Sequence, residues 1–387
     1  MNERDNNDEV RIAFLGDFSL NDHLLNQVRS GSTEGFLSDV RALTKKADLV
    51  IANLESCWDL DGRAAPAGFE GKIHIKTTPE IVTALKFLNV KVVSTANNHS
   101  FDFGYDGWKA LREIIENEEI AHIGGGANIK EASEPLILGM DGIRLGILTY
   151  AGREVGAIYA DETSCGVNPF DIERTKVEVA SLKASCDFVI VYIHWGEERI
   201  LMPSPKQRAW AHEMARAGAD VIIGHHAHVL QGYEMIGNTH VFYSLGNFLM
   251  ADVYEGNKRR VRFIRPNYVT AVPFFSITRA KNPKLECLVG LYSDGTKIRL
   301  LPTMQFQRRW RKLCNALKHK DYASAFLRHQ DFMWRYYIPL RYLSLQNLID
   351  NPSALINSFK FSKIKRLLGQ GQSPWQTDSF SPKDEDR

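Results

Sequence analysis

Short apolar, β-branched runs that stop abruptly in small polar or metal-compatible residues recur along the chain. They are residues 11–15 before Gly16-Asp17, 49–52 before Asn53-Leu54-Glu55, and 90–95 before Asn97-Asn98-His99. Further on come 188–193 before His194, 221–223 before Gly224-His225-His226-Ala227-His228, and 241–244 before Gly246-Asn247. Residues 143–149 form another such run without a ligand-type cluster at its end. Continuous apolar runs of this length read as strands buried on both faces. Between them lie stretches with helical spacing: 79–88 with Thr78 as N-cap, 106–115, 169–183, and 204–217 stopped by Gly218. Strands alternating with helices predict α/β layers. Sites in such folds gather at the carboxyl ends of strands, where all the clusters lie. One cluster alone is equally well explained as turn chemistry; six in the same position point to one site.

Composition narrows this picture. The chain has 387 residues, 44% hydrophobic and 24% charged, which excludes wholesale disorder and allows one large domain with an appendage, or two domains. The net charge of +2 hides an asymmetry. Residues 301–370 hold 13 Lys and Arg against 3 Asp, an excess of ten, so the rest of the chain carries −8. Five scattered cysteines without a C-x-x-C pair argue against a disulfide framework and a zinc ribbon. The polar, acidic first ten residues do not read as a signal peptide, and no apolar run approaches the ~18 residues of a spanning helix. The expected location is cytoplasmic, or peripheral at the inner face of the membrane.

Collected, the clusters offer Asp17, Asn53, Glu55, Asn98, His99, His194, His226 and His228. This mixed nitrogen and oxygen set, without a thiolate, suits one or two divalent ions such as Mn, Fe, Zn or Mg. On an extended segment alternate side chains share a face, so His226 and His228 can meet at one site while His225 points away as a hydrogen-bonded structural group.

Ala96-Asn97-Asn98-His99-Ser100-Phe101-Asp102-Phe103-Gly104 resembles the A-N-N-H-x-x-D-x-G signature of the CapA family, named for poly-γ-glutamate capsule biosynthesis. Phe14-Leu15-Gly16-Asp17, Ala52-Asn53-Leu54-Glu55 and His194-Trp195-Gly196-Glu197-Glu198 resemble its other motifs, as do the segments 218–231 and 243–248. That family is similar to the calcineurin-like metallophosphoesterases, which implies a four-layer α/β/β/α sandwich with a two-metal centre. The resemblance implies Asp17 and His228 on the first ion, Glu55 bridging, and Asn98, His194 and His226 on the second. It makes His99 the catalytic histidine at the leaving-group or phosphoryl oxygen, beside Asn98. In such centres two ions about 3.5–4 Å apart clamp the oxygens of an in-line displacement. Asp102 reads either as an orienting carboxylate or as a turn residue before Gly104. Two departures stand out. The phosphoesterases carry Asp-x-His where this chain reads Asp17-Phe18-Ser19, so the first ion lacks that imidazole unless His23 or a water substitutes; and Ala227 replaces the usual Pro.

For substrate, the expected residues are Asn53, Lys76, Trp195 and Glu198; Lys76 supplies a cation for a carboxylate or phosphate, and Trp195 has packing as its competing role. Arg153 is a further basic residue within possible reach. Three segments are expected: a CapA-like domain over 11–300, a basic and aromatic helical extension over 301–370, and a disordered tail over 371–387. Arg308-Arg309-Trp310-Arg311-Lys312 and the amphipathic stretch 359–368 give the extension its charge. Its expected partners are an anionic polymer, a phosphorylated substrate, a membrane surface or a membrane-bound synthesis enzyme, with nucleic acid disfavoured. The functional expectation is a metal-dependent hydrolase of a phosphoester or amide-type bond. The competing expectation is a non-catalytic accessory protein of capsule or polysaccharide assembly.

Overall fold

A computed structural model describes residues 9–60, 62, 72–255, 258–279 and 281–338. The stretch 359–368 and the tail 371–387 lie outside the described residues, as does the side chain of His23. Two compact units divide the chain, Met1–Phe326 and Leu327–Arg387.

Among the described residues, the first unit contains two large sheets and three two-stranded ribbons. Strands β1 (Glu9–Phe18), β2 (Leu49–Leu54), β3 (Val92–Ser94) and β4 (Ala121–Ile123) pair in parallel, side by side. The chain then builds a second sheet from β5 (Leu136–Met140), β6 (Ile143–Ala151), β7 (Phe188–His194), β8 (Val221–His225), β9 (Tyr233–Ile236) and β10 (Thr239–Phe242), in the order β9-β10-β8-β7-β6-β5. It returns to the first sheet with β11 (Asn247–Leu249), β12 (Val269–Thr278), β13 (Lys281–Ser293) and β14 (Ile298–Leu300), giving the order β14-β13-β12-β1-β2-β3-β4 with β11 beside β1. Central strands β1, β2, β7 and β8 are buried along nearly their whole length, as their uninterrupted apolar runs require.

Three apolar layers separate four layers of structure. One face of the first sheet (Ala13, Leu15, Val50, Ala52, Val93) packs on helices α1 (Asp22–Arg29), α2 (Thr33–Thr44), α3 (Ile81–Phe87) and α4 (Gly104–Asn117). Its other face (Ile12, Phe14, Ile51, Val92) meets Ile147, Ile190, Tyr192 and Ile223 of the second sheet. The outer face of that second sheet (Val189, Val191, Ile222, Val241) packs on α5 (Ile172–Ser185) and α6 (Pro205–Ala217). The architecture is thus the expected α/β/β/α sandwich. Helix α6 shows why the local sequence is read correctly: Ser204 and Gln207 form a reciprocal capping box, Pro205 opens the helix, and Gly218 closes it at φ 109°. At α3 the N-cap is Glu80 rather than Thr78.

The expected boundary at residue 300 falls inside the first unit. Helix α7 (Thr303–Ala316) turns Phe306 and Trp310 into it, with Trp310 stacked on Phe242 and Tyr233. Its Arg308, Arg311 and Lys312 are exposed. Helix α8 spans Tyr322–Phe332, and the described part of the second unit ends in a π-helical turn, Met333–Tyr337, where Trp334 and Tyr336 are exposed. No helix among the described residues is long and apolar enough to cross a membrane.

Gly16 shows how closely the sheet is built around its functional edge. A Cβ there would lie 2.0 Å from the Gly246 carbonyl oxygen, a backbone atom that cannot move aside, while the next residue, Asp17, donates its N–H to the same oxygen at 3.0 Å. Gly16→Ala is expected to cost about 1–3 kcal/mol in urea unfolding, by overpacking two backbones. An unchanged midpoint would show that the β1–β11 junction yields freely.

Candidate metal centre

Both sheets deliver polar residues from the carboxyl ends of their central strands to one buried place. Asp17 sits at the end of β1, Glu55 just beyond β2, Asn98 and His99 in the turn after β3, His194 at the end of β7, and His226 and His228 just past β8. All are 7% exposed or less. Two groups of ligand atoms, each within 4.8 Å, share one member: Asp17, Glu55 and His228 form the first, and Glu55, His194 and His226 the second. A third group joins Glu198 to His226 and His228, which places Glu198 at ligand distance as well as at the position expected for substrate.

Hydrogen bonds aim each donor. Asp17 Oδ1 accepts from Asn53 Nδ2 at 2.9 Å and faces His225 Nδ1 at 3.0 Å, which leaves Oδ2 toward the cluster. His228 Nδ1 lies 2.8 Å from Asn247 Oδ1, so its Nε2 faces Glu55 at 3.5 Å. Asn98 Oδ1 and His226 Nδ1 lie 2.8 and 3.1 Å from His194 Nε2. Such separations match the edges of a coordination shell with bonds of about 2.1 Å.

The convergence of His226 and His228 has a different cause from the one expected. They do not alternate on an extended strand. Both have left-handed backbones, φ 84° and 53°, in the turn after β8. His225, the last residue of β8, does not point away as expected: its Nδ1 lies 3.0 Å from Asp17 Oδ1, where it is a hydrogen-bonded partner of a candidate ligand. Residues that carry a Cβ adopt such φ values rarely, and strained backbones cluster at functional sites.

Asn53, expected at the substrate, directs its amide to Asp17 and to His194 Nδ1 (3.2 Å), so it orients candidate ligands. Trp195, expected to line a pocket, is fully buried; its indole donates to the Tyr243 carbonyl at 3.0 Å and its ring stacks near Tyr243 and Trp210. Its role is packing. Lys76 is exposed on the short strand Lys76–Thr77. The lysine that reaches the cluster is Lys72, buried against Asp102 and Asn98. Arg153 is exposed and lies over the Tyr159 ring. Asp102 is an orienting carboxylate, 2.7 Å from His99 Nδ1. Asn97 is a further functional residue that the motif reading did not single out. Its side chain contacts Asn53 Oδ1 and the Leu54 carbonyl and accepts from His99 N and Ser100 Oγ, tying the β2 and β3 ends together.

The unpaired atoms test whether an ion fits. Asp17 Oδ2 and both carboxylate oxygens of Glu55 are buried without a hydrogen-bond partner, as is Ser19 Oγ. Burying carboxylate oxygens without a hydrogen bond is unfavourable even with His228 3.3 Å from Asp17 Oδ2 and 3.5 Å from Glu55 Oε1, and a divalent cation among these carboxylates and imidazoles would remove that cost. The residues therefore fit one or two divalent ions.

Electrostatics agree. Burial pushes the Glu55 carboxyl well above the usual carboxylate range, Asp17, Glu198 and Asp102 add to the rise, and His228 opposes it. Burial acts upward on Asp17 too, yet His225 and His228 outweigh it and hold Asp17 well below. Burial lowers His228, but Glu55 and Asp17 overcome that and raise it to about 10. Burial takes His226 down to about 4, against the pull of Glu198. Burial, then His226, lowers His194. Without an ion, burial thus favours the neutral form of Glu55 while the charge of Glu55 and Asp17 favours protonated His228, so these two groups compete for a proton and His194 and His226 stay neutral.

Against known proteins, the family model described as "Bacterial capsule synthesis protein PGA_cap" matches residues 11–252. The capsule biosynthesis protein CapA of Bacillus anthracis is 32% identical over 248 residues, 63% of this chain and 60% of that protein. The PGA biosynthesis protein CapA of Bacillus subtilis is 30% identical over 243 residues, 62% of this chain and 63% of its own length. The match thus spans somewhat under two thirds of these relatives. A solved structure described as a novel phosphatase from Mycoplasma pneumoniae superposes with a TM-score of 0.47 at 14% identity, covering 78% of this chain and 96% of that one.

Because an ion takes deprotonated ligands, loading must displace the proton shared by the Glu55–His228 pair. Titration calorimetry with Mn²⁺ in buffers of different ionisation enthalpy is expected to show proton release, and apparent affinity is expected to rise with pH from about 6 to about 9. Binding without proton release would show that these two groups are not ligands.

Proposed function

The chain belongs to the bacterial capsule synthesis family described as PGA_cap, and from that premise we propose that it is a divalent-metal-dependent hydrolase of a phosphoester or amide-type bond in the making of an anionic capsule polymer or poly-γ-glutamate. The observation that carries this reading is Glu55, a fully buried carboxylate common to two ligand groups and left without a hydrogen bond on either oxygen.

In the proposal Asp17, Glu55 and His228 hold one ion, and Glu55, Asn98, His194 and His226 hold the other. Ions there would supply Lewis acidity and neutralise charge on the attacking and leaving oxygens. His99 provides the proton. Its Nδ1 is tied to Asp102 at 2.7 Å, which fixes the ring and leaves Nε2 facing the cluster, 4.0 Å from Glu55 Oε1 and 3.1 Å from Asn98 Nδ2. In this geometry Nδ1 carries the proton toward Asp102 and Nε2 accepts from Asn98 Nδ2; on taking up a second proton at Nε2, an imidazolium that Asp102 stabilises, the ring would be placed to pass it to the departing oxygen or nitrogen. Asp102 stays ionised beneath the ring. Burial acts upward on its carboxyl, but His99 and Lys72 hold it below the usual range. For partners, the exposed Arg308, Arg311 and Lys312 on α7 support contact with an anionic polymer, or with a membrane surface or membrane-bound synthesis enzyme.

His99→Ala is expected to lower turnover by about 10²–10⁴-fold with metal content unchanged, measured on phosphoester and γ-glutamyl substrates. Undiminished turnover in the variant refutes the role of His99. Metal-loaded protein with no hydrolysis of either substrate class favours the non-catalytic accessory reading.

A further inference from the structure

Lys72 is buried beneath the turn that follows β3, with 4% of its side chain exposed. Its Nζ donates to the Asn98 carbonyl at 2.7 Å and lies 2.7 Å from Asp102 Oδ1. The other oxygen of Asp102 accepts from the Ile75 N–H at 2.7 Å and faces His99 Nδ1 at 2.7 Å. One ammonium therefore spans the two ends of the turn 98–102. That turn presents Asn98 Oδ1 to the ion cluster and His99 Nε2 beside it.

Burying a lysine forfeits its hydration and rotamer freedom, and a buried pair of charges is weak support for stability by itself. A neutral side chain of the same length would fill the space. It would also leave the Asn98 carbonyl without this donor and Asp102 as an uncompensated charge under His99. The two contacts of Lys72 go to the two groups that set the direction of Asn98 and His99.

We propose that Lys72 is a positioning residue, whose ammonium holds the 98–102 turn so that Asn98 and His99 face the ion cluster together. This rests on the roles proposed above for Asn98 and His99, and the test is chosen to stand apart from them. In ¹⁵N-labelled, metal-free full-length protein, the His99 Nδ1 proton held by Asp102 is expected as an exchange-protected downfield signal, assigned by its loss in His99→Ala. In Lys72→Met that protection is expected to disappear and Mn²⁺ affinity to fall about tenfold, the loss typical of removing a group that orients ligands. Lys72→Gln, which keeps amide donors without the charge, is expected to recover part of both. Combining Lys72→Met with Asp102→Asn is expected to weaken Mn²⁺ binding by less than the sum of the single losses, because the lysine acts partly through the carboxylate.

A folded Lys72→Met protein that keeps both the protected proton and wild-type Mn²⁺ affinity overturns the proposal. If the Met variant does not fold, the Gln variant decides on the same two readings. Failure of the wild-type chain to bind Mn²⁺ would remove the proposed hydrolase, while the proton signal in metal-free protein would still decide the role of Lys72.

Discussion

A fully buried carboxylate with neither oxygen hydrogen-bonded is the constraint around which this structure is organised. Glu55 stands just past β2, where the ends of two sheets meet, and it is surrounded by imidazoles and by a second carboxylate, Asp17. Burial favours a proton on it, and divalent cations would meet the same demand. The surrounding groups make sense in that light. Asn53, Asn97, His225 and Asn247 do not themselves complete either ligand group; their polar atoms hold Asp17, His194 and His228, directly or through Asn53, in place beside Glu55.

The scaffold makes such precision possible. Parallel pairing brings β1, β2 and β3 to the same end of one sheet, and β7 and β8 to the corresponding end of the other. The apolar layer between the sheets, including Phe14, Ile51, Tyr192 and Ile223, fixes the separation of those ends. Tyr192 adds a direct tie, donating its hydroxyl to the Leu15 carbonyl at 2.7 Å. Ligand positions are thus inherited from strand register rather than set by long loops.

Much of this is legible in the sequence because buried parallel strands announce themselves as apolar runs, and their ends carry the concentrated His, Asn and carboxylate clusters. Alternation points to α/β layers, and the resemblance of the motifs to the family implies that there are four of them. What escapes is whatever depends on tertiary partners. Lys72 and Lys76 look alike in an extended segment; only the placement of Asp102 makes one a buried partner and leaves the other exposed. Trp195 follows a ligand directly, yet the stack of Tyr243 and Trp210 behind it decides that it packs. His226 and His228 are grouped correctly by their spacing, but two left-handed backbones bring them together, which side-chain alternation does not describe. Helix α7 reads as part of the basic extension because charge dominates its composition. Phe306 and Trp310 place it in the first unit. Ser19, fully buried with an unpartnered hydroxyl, stands where the expected imidazole is lacking, and among the described residues the first ligand group has one imidazole, from His228.

The central claim is that Glu55 serves two ions at once. Anomalous diffraction from crystals grown with excess Mn²⁺ tests it directly. The account predicts two peaks flanking the Glu55 carboxylate, one beside Asp17 and His228 and the other beside Asn98, His194 and His226. Crystals in which Mn²⁺ avoids Glu55 altogether, or in which a single ion leaves one of its oxygens hydrogen-bonded to protein, would contradict it.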